Sequence, residues 1–376
     1  MKLSVPRAQS IVRNSSIAFI PAARPQGIRR RRIKKNNFDP DNQYMKTLPQ
    51  KILLILIGRL GDFIVATSFI RSLRRNMPKA EITLITSRRA YHTALSDPNL
   101  DKVRLLSDAA FFWRNLKFAG FIFQKHDLLI DLNPSYSRAS MALAAISGAV
   151  RKIAFAKKDP LGIYDLLIPH DPDNDYFWDK YARLAAETGI TYEEGMRIYH
   201  DPGDEQKASD IIGALNIAGG MKPVAIHAGD FKKYDNRWPE EKFVELTGLL
   251  KTIPGIEPVY IIGPKEENAT HNGILRHLPG TKYILPHSVP VLSCILKKTS
   301  ALICNNSGTL HIAAASGTPT FSFDSQYNLK CWRPRGRHYG IESPDWNNCR
   351  NIPVRDAFEK FKHLWDSGAF SNCSDE

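Results

Sequence analysis

The feature that most restricts the fold is the segment Lys51 to Ile57, in which six consecutive β-branched and leucine residues end directly on Gly58-Arg59-Leu60-Gly61-Asp62. A run this short, with no polar alternation, reads as a strand covered on both faces, as strands of parallel sheets are. It is far too short to cross a bilayer. A helix follows, with Phe63, Ala66, Ile70 and Leu73 on one face and Arg71, Arg74 and Arg75 in its last turn, until Pro78 ends it. The alternation continues through strands at Glu81–Thr86, Val103–Leu106, Leu128–Leu132 and Lys152–Phe155. Helices are expected around Ala109–Phe121 and from Tyr136 to Ile146. Such repetition predicts an α/β chain with a doubly wound sheet.

Residues 156–221 break the rhythm with Pro160, Pro169, Pro172, Pro202 and the pair Gly219-Gly220, and hold one good helix, Trp178–Thr188. They read as the passage between two domains, with some of it completing the first. The pattern restarts with a strand at Val224–His227, a helix at Glu240–Leu250 opened by Pro239, and a strand at Val259–Ile262. Leu275, Tyr283 and Leu296 mark further elements, and Asp356–Trp365 is the last helix. The expected organisation is an arm over 1–45, one Rossmann-like domain over 46–215 and a second over 216–376, facing each other across a cleft.

Charge separates the arm from the rest. Residues 1–50 hold eleven lysines and arginines against Asp39 and Asp41, and so carry most of the net charge of +14. Arg29 to Arg32, Lys34 and Lys35 form the centre of a segment expected to be disordered. Such an arm suits weak attachment to an anionic membrane surface, non-specific nucleic-acid contact, or plain solvation; no specific nucleic-acid partner is indicated. A start at Met45 would remove it. Five cysteines without regular spacing suit a reducing cytosol rather than a disulfide scaffold. There is no paired C-x-x-C, H-E-x-x-H, G-x-S-x-G or Walker lysine, and no G-x-G-x-x-G at Gly58 and Gly61. No cofactor and no metal site is expected.

The stretch Cys304 to Asp324 concentrates the chemistry. Ala301 to Ile303 end a buried strand, Asn305, Asn306 and Ser307 are good helix caps, and Gly308 permits close approach. Thr309 to Ser316 then reads as a short helix, stopped by Gly317 and Pro319. Strand, small polar turn and positive helix end together suit an anion such as a phosphate, although any tight strand–helix turn uses similar residues. The turns Gly58–Asp62, His227–Arg237, Gly263–Glu267 and Asn305–Thr309 all fall at the carboxyl edge of their sheets, where open α/β folds bind ligands. Asp62 is placed to take a proton from an attacking hydroxyl or to cap its helix. Lys232, Lys233 and Arg237 could neutralise a diphosphate or form a solvated loop. Glu266 and Glu267 could accept from ribose hydroxyls or supply first-turn charge. His311 could reach a phosphate oxygen or be a buried, satisfied histidine.

Three segments, Ile52–Arg75, R-W-P-E-E-K-F at Arg237–Phe243, and S-G-T-L-H-I-A-A-A-S-G-T-P-T at Ser307–Thr320, occur in the order found in glycosyltransferase family 9, which the chain resembles from about Lys51 to Trp332. The family comprises the ADP-heptose:lipopolysaccharide heptosyltransferases. The resemblance implies two Rossmann-like domains in the GT-B arrangement, acceptor on the first and nucleotide sugar on the second. It implies an inverting, metal-independent transfer of heptose from a nucleoside-diphosphate sugar such as ADP-heptose to a lipopolysaccharide-core acceptor, in the cytoplasm and at the inner face of the membrane. It makes Asp62 the general base, places Arg59 and Gly61 with the acceptor, and gives the diphosphate-binding turn to Ser307, Gly308 and Thr309, with Asn306 before it and His311 just beyond, all within the nucleotide-sugar site. Glu266 or Glu267 falls near the ribose, with Lys232, Lys233 or Arg237 beside the leaving group. Two positions depart from the family pattern: Asn236 where lysine is frequent and Asn306 where aspartate is frequent. They motivate a second reading, a nucleotide-sugar-binding or regulatory protein of the same fold without transferase activity.

Overall fold

The computed structural model describes residues 49–106, 124–229, 237–263, 274–285 and 288–371. The basic arm and the helix expected around Ala109–Phe121 lie outside these residues. The opening run forms β1 (Lys51–Leu56). Ile52, Leu54 and Leu56 enter one hydrophobic cluster while Leu53 and Ile55 enter another. Period-two geometry sends neighbours to opposite faces, and both faces are covered, which is why the run carries no polar alternation.

β1 lies parallel between β2 (Glu81–Ser87) and β4 (Lys125–Asp131), with Ile52 opposite Ile82 on one side and Leu128 on the other. With β3 (Lys102–Leu106), β5 (Gly148–Phe155) and β6 (Leu166–Ile168) they make a six-stranded sheet of order β3-β2-β1-β4-β5-β6. The second sheet comprises β7 (Lys222–His227), β8 (Ile256–Ile261), β9 (Lys282–Ile284), β10 (Ala301–Asn305), β11 (Thr320–Asp324) and β12 (His338–Glu342). Its order, β12-β11-β10-β7-β8-β9, repeats the winding of the first. The strand order therefore reverses at β1/β4 in one sheet and at β7/β10 in the other, and both reversals leave a crevice at the carboxyl ends.

The flanking helices of the first half are α1 (Leu60–Asn76), α2 (Arg88–Leu95), α3 (Arg138–Ile146), α4 (Phe177–Glu187) and α5 (Pro202–Ala214). Those of the second are α6 (Glu240–Leu250), α7 (Ile274–His277), α8 (Val289–Lys297), α9 (Gly308–Ser316), α10 (Gln326–Cys331) and α11 (Val354–Asp366). Helices α1, α8 and α9 share an inner layer. One cluster passes from Ile52 and Leu54 through Phe63 and Phe69 of α1 to Leu310 and Ile312 of α9 and Leu302 of β10. Where α1 meets α9 the backbones nearly touch: a β-carbon on Gly61 would lie 3.7 Å from Gly308 Cα and 3.3 Å from His311 Cδ2.

The passage 156–221 is more ordered than its composition suggests. It contributes β6 to the first sheet and α5, which packs against α8. Pro202, read as a breaker, is a helix opener. Asp201 Oδ1 accepts from the Asp204 N–H at 2.8 Å and the Asp204 carboxylate accepts from the Asp201 N–H at 3.2 Å, so both ends of a capping box are made. The same passage is tied to the segment around α10. Lys330 Nζ donates to Asn174 Oδ1 at 2.5 Å, Cys331 Sγ to the Asp173 carbonyl at 3.4 Å, and Arg335 pairs with Asp179 at 3.3 Å.

Candidate active site

The two crevices open onto one cavity of about 640 Å³. From the first half it is lined by Arg59, Leu60, Gly61, Asp62 and Arg89, and from the second by Arg237, Asn306, Ser307, Gly308 and His311. Tyr327, Asn328 and Trp332 of the α10 region close another side.

Asp62 is the third residue of α1. Its Oδ2 accepts from the Arg59 N–H at 2.7 Å, which anchors the side chain over the helix end. A β-carbon at position 58 would sit 2.5 Å from that same oxygen, so a side chain there would displace the carboxylate. The capping role is therefore real, and it occupies one carboxylate oxygen. The carboxylate also borders the cavity. Lys180 of α4 feels this carboxylate: burial pushes the ammonium pKa down and Asp62 opposes that shift. Its Nζ lies 5.1 Å over the Trp332 ring.

Across the cavity the turn after β10 is built from three residues with different tasks. Asn305 is a structural clamp. Its Oδ1 accepts from the Trp238 N–H at 3.0 Å and its Nδ2 donates to the Ala228 carbonyl at 2.8 Å, which fixes the segment beyond β7. Trp238 in turn stacks on Phe323 with centroids 3.8 Å apart and donates from Nε1 to the Ile352 carbonyl. Asn306 donates from Nδ2 to Asp324 Oδ1 at 3.1 Å. Asp324 is fully buried at the end of β11, where it also accepts from Ser322 Oγ at 2.7 Å and pairs with Arg333 Nε at 3.0 Å. Burial raises the Asp324 pKa, and Arg333 works against that rise.

Ser307 is the N-cap of α9 yet its side chain makes no cap bond, and its Oγ, though shielded from solvent, has no hydrogen-bond partner among the described residues. His311, one turn further on, is 4% exposed and its Nδ1 is likewise unpartnered. Burial among Phe177, Trp332 and the helix pushes its pKa down to about 4, with His338 adding to the effect, so the ring is neutral at neutral pH. Buried polar atoms without partners cost stability. Ser307 and His311 lie one turn apart at the helix end that borders the cavity.

Of the residues expected at the site, Arg59, Gly61, Asp62, Arg237, Asn306, Ser307, Gly308 and His311 line the cavity. Thr309 is buried in α9 and does not line it. Lys232, Lys233, Glu266 and Glu267 lie outside the described residues, as does Asn236. Arg89, Tyr327 and Trp332 were not anticipated. Arg89 follows β2 at the carboxyl edge of the first sheet, and its position in the R-R pair after Ser87 was the available signal. No group of three or more His, Cys, Asp or Glu able to hold a metal occurs among the described residues. Nor is any described helix long and apolar enough to cross a membrane.

Two parallel sheets of like winding, whose crevices meet at a cavity holding a carboxylate on one wall and a small polar turn on the other, define the GT-B class of glycosyltransferase folds. The chain belongs to glycosyltransferase family 9 (heptosyltransferase), whose family model matches residues 117–356, more than half of the chain. That span includes the Arg237–Phe243 and Ser307–Thr320 segments but begins after Asp62. Among curated proteins no sequence matches. A crystal structure of a family 9 glycosyltransferase from Veillonella parvula superposes with a TM-score of 0.72 at 18% identity, covering 85% of this chain and 97% of that one. E. coli ADP-heptose LPS heptosyltransferase II gives 0.68 at 15% identity, over 84% and 99% of the two chains. E. coli heptosyltransferase WaaC with ADP gives 0.61 at 16% identity, over 85% and 99%. At these identities the likeness establishes the fold.

Proposed function

We propose that the protein is an inverting transferase that moves a heptose from a nucleoside-diphosphate donor of the ADP-heptose type to a hydroxyl of a lipopolysaccharide-core acceptor. The observation that carries the reading is the meeting of α1 and α9: Asp62, Ser307 and His311 border one cavity, with the backbones of Gly61 and Gly308 close together between them. Support for the donor comes from relatives of the same fold whose structures hold ADP or ADP-2-deoxy-2-fluoro heptose.

In this reading the diphosphate lies on the end of α9, where backbone N–H groups and Ser307 Oγ can donate to its oxygens. The neutral His311 ring donates or accepts without adding charge. Arg237 borders the same cavity, with Nη1 2.9 Å from where a β-carbon on Gly229 would be, and offers a guanidinium to the leaving group. Asp62, held by the Arg59 N–H through one oxygen, takes the acceptor proton on the other as the hydroxyl displaces the nucleoside diphosphate in line. The acceptor then occupies the side of Arg59 and Arg89. The workplace is the cytoplasmic face of the membrane, with the protein peripheral to it.

The test is acceptor-dependent ADP release from ADP-heptose with truncated lipopolysaccharide. Asp62→Asn is expected to lower turnover by about 10²–10⁴ while leaving nucleotide affinity unchanged. Wild-type turnover in that variant would remove Asp62 from the role of base, and no acceptor-dependent release from the wild type would refute transfer altogether.

A further inference from the structure

We propose that Asn133 is a positioning residue for Asp62, setting the β1–α1 turn through an amide that a buried Asp131–Lys157–Tyr164 cluster locks in place. The proposal rests on Asp62 being the base. Ile57 is the last residue before Gly58, and its N–H donates to Asn133 Oδ1 at 2.8 Å. The same amide donates from Nδ2 to the Ile55 carbonyl at 3.2 Å and to Asp131 Oδ1 at 2.7 Å. Both its faces are therefore used, and a flipped amide would set like atoms against one another.

Asn133 is itself held at both backbone ends. Its N–H donates to Asp131 Oδ1 at 3.0 Å, and its carbonyl accepts from Lys157 Nζ at 2.8 Å. Asp131 ends β4 with its carboxylate fully buried, and its Oδ2 accepts from Lys157 Nζ at 2.7 Å and from the Tyr164 hydroxyl at 2.6 Å. The side chains of this ion pair are 2% and 0% exposed, among the leucines and isoleucines of the outer face of the first sheet. A buried ion pair is a poor device for stability alone, since apolar residues of similar volume serve as well. Here both charges converge on one asparagine. The other side of the turn is fixed by β2: Ser87 Oγ donates to the Gly58 carbonyl and Thr86 Oγ1 to the Leu56 carbonyl, each at 2.9 Å. The turn bearing the base is thus pinned from both neighbouring strands, and Asn133 supplies the only one of these pins that is tied to charge.

A double-mutant cycle separates positioning from general damage. Asn133→Ala is expected to lower kcat roughly ten- to a hundredfold, the loss that follows when a reacting group is displaced by about an ångström. Donor KM and nucleotide affinity should stay within about twofold, because the donor sits on the other half. In an Asp62→Asn background the same substitution should have little further effect, because the group it places is gone. An equal loss in both backgrounds, or a loss confined to donor KM, would overturn the proposal. If Asn133→Ala does not fold, Tyr164→Phe, which removes one hydroxyl from Asp131, is run through the same cycle. It should show a smaller loss that also vanishes with Asp62, and wild-type turnover in it would overturn the proposal. Full activity of Asp62→Asn alone would instead defeat the assignment of the base, a separate and recognisable outcome.

Discussion

Asn306 occupies a position where the family resemblance leads one to expect aspartate, and its neighbour explains the difference. Its Nδ2 donates to Asp324 Oδ1 at 3.1 Å, inside a network that is otherwise closed. Asn306→Asp would set two carboxylates at that distance. At an effective dielectric of about 20 their repulsion is on the order of 5 kcal/mol. The pair escapes by keeping one proton, which at pH 7.5 costs about 1.36 kcal/mol for each unit above a normal carboxyl pKa near 4, again about 5 kcal/mol. A shared hydrogen bond and Arg333 beside Asp324 return part of this, leaving about 3 kcal/mol. A carboxyl whose pKa is raised in the folded state holds its proton more tightly folded than unfolded. The deficit is therefore smallest near pH 4 and grows as pH rises toward the folded-state value. Between pH 5.5 and 7.5 it should increase by about 2–3 kcal/mol. With about 2.1 cal/mol/K of unfolding entropy per residue, that is roughly 3–4 °C of extra loss in Tm. The assay is thermal unfolding of wild type and variant in parallel at the two pH values. A Tm difference that is the same at both would refute the idea that Asp324 dictates the amide.

Other expectations follow from the same coordinates. His311 and His338 are both held at about 4 by burial, against 6.5 for an exposed ring, so the unfolded chain takes up protons that the folded one refuses. Stability should fall as pH drops from about 6.5 toward 4, by up to about 2.7 kcal/mol per unit for the two rings, and His338→Asn should roughly halve that slope in urea titrations. Gly340 cannot bear a side chain, because its β-carbon would lie 2.4 Å from the Ser322 carbonyl oxygen and 2.9 Å from Asp324 Oδ2. Gly340→Ala should cost about 1–3 kcal/mol of stability by overpacking, read from denaturant midpoints. Arg89→Ala should raise acceptor KM and leave nucleotide affinity alone, as steady-state kinetics and thermal shift with ADP would show. Chelation by EDTA is expected to leave turnover unchanged, as the family resemblance implies.

Much of the fold could be read from the residues because parallel strands announce themselves. Ile52–Leu56 and Ala301–Cys304 are covered on both faces, so the run alone marks them. β12 escaped because His338-Tyr339-Gly340 offers no such run; its glycine is demanded by the neighbouring strand rather than by a turn. α5 escaped because Pro202 at a helix start looks like Pro at a helix end unless the reciprocal Asp201–Asp204 bonds are noticed. At the site, Asp62 and the Ser307–Gly308 turn were legible since each directly follows a buried strand. Trp332 and Tyr327 were not, because their place at the cavity depends on the α10 region being drawn to residues 172–179, far away in sequence. The aspartates that organise both crevices did leave a trace. Asp131 in L-L-I-D-L-N and Asp324 in T-F-S-F-D are acids closing apolar runs, where a charge is costly unless partnered.

The inner layer formed by α1, α8 and α9 bears on how the molecule comes apart. A single apolar cluster contains Ile52 and Phe63 of the first half together with Leu302 and Leu310 of the second. Melting either half would strip cover from the other and expose that surface to water, so neither can be lost at its own temperature. The two halves therefore form one cooperative unit: calorimetry should record a single transition with calorimetric and van't Hoff enthalpies in agreement. A substitution deep in the first sheet should then lower the melting temperature of the second by the same amount.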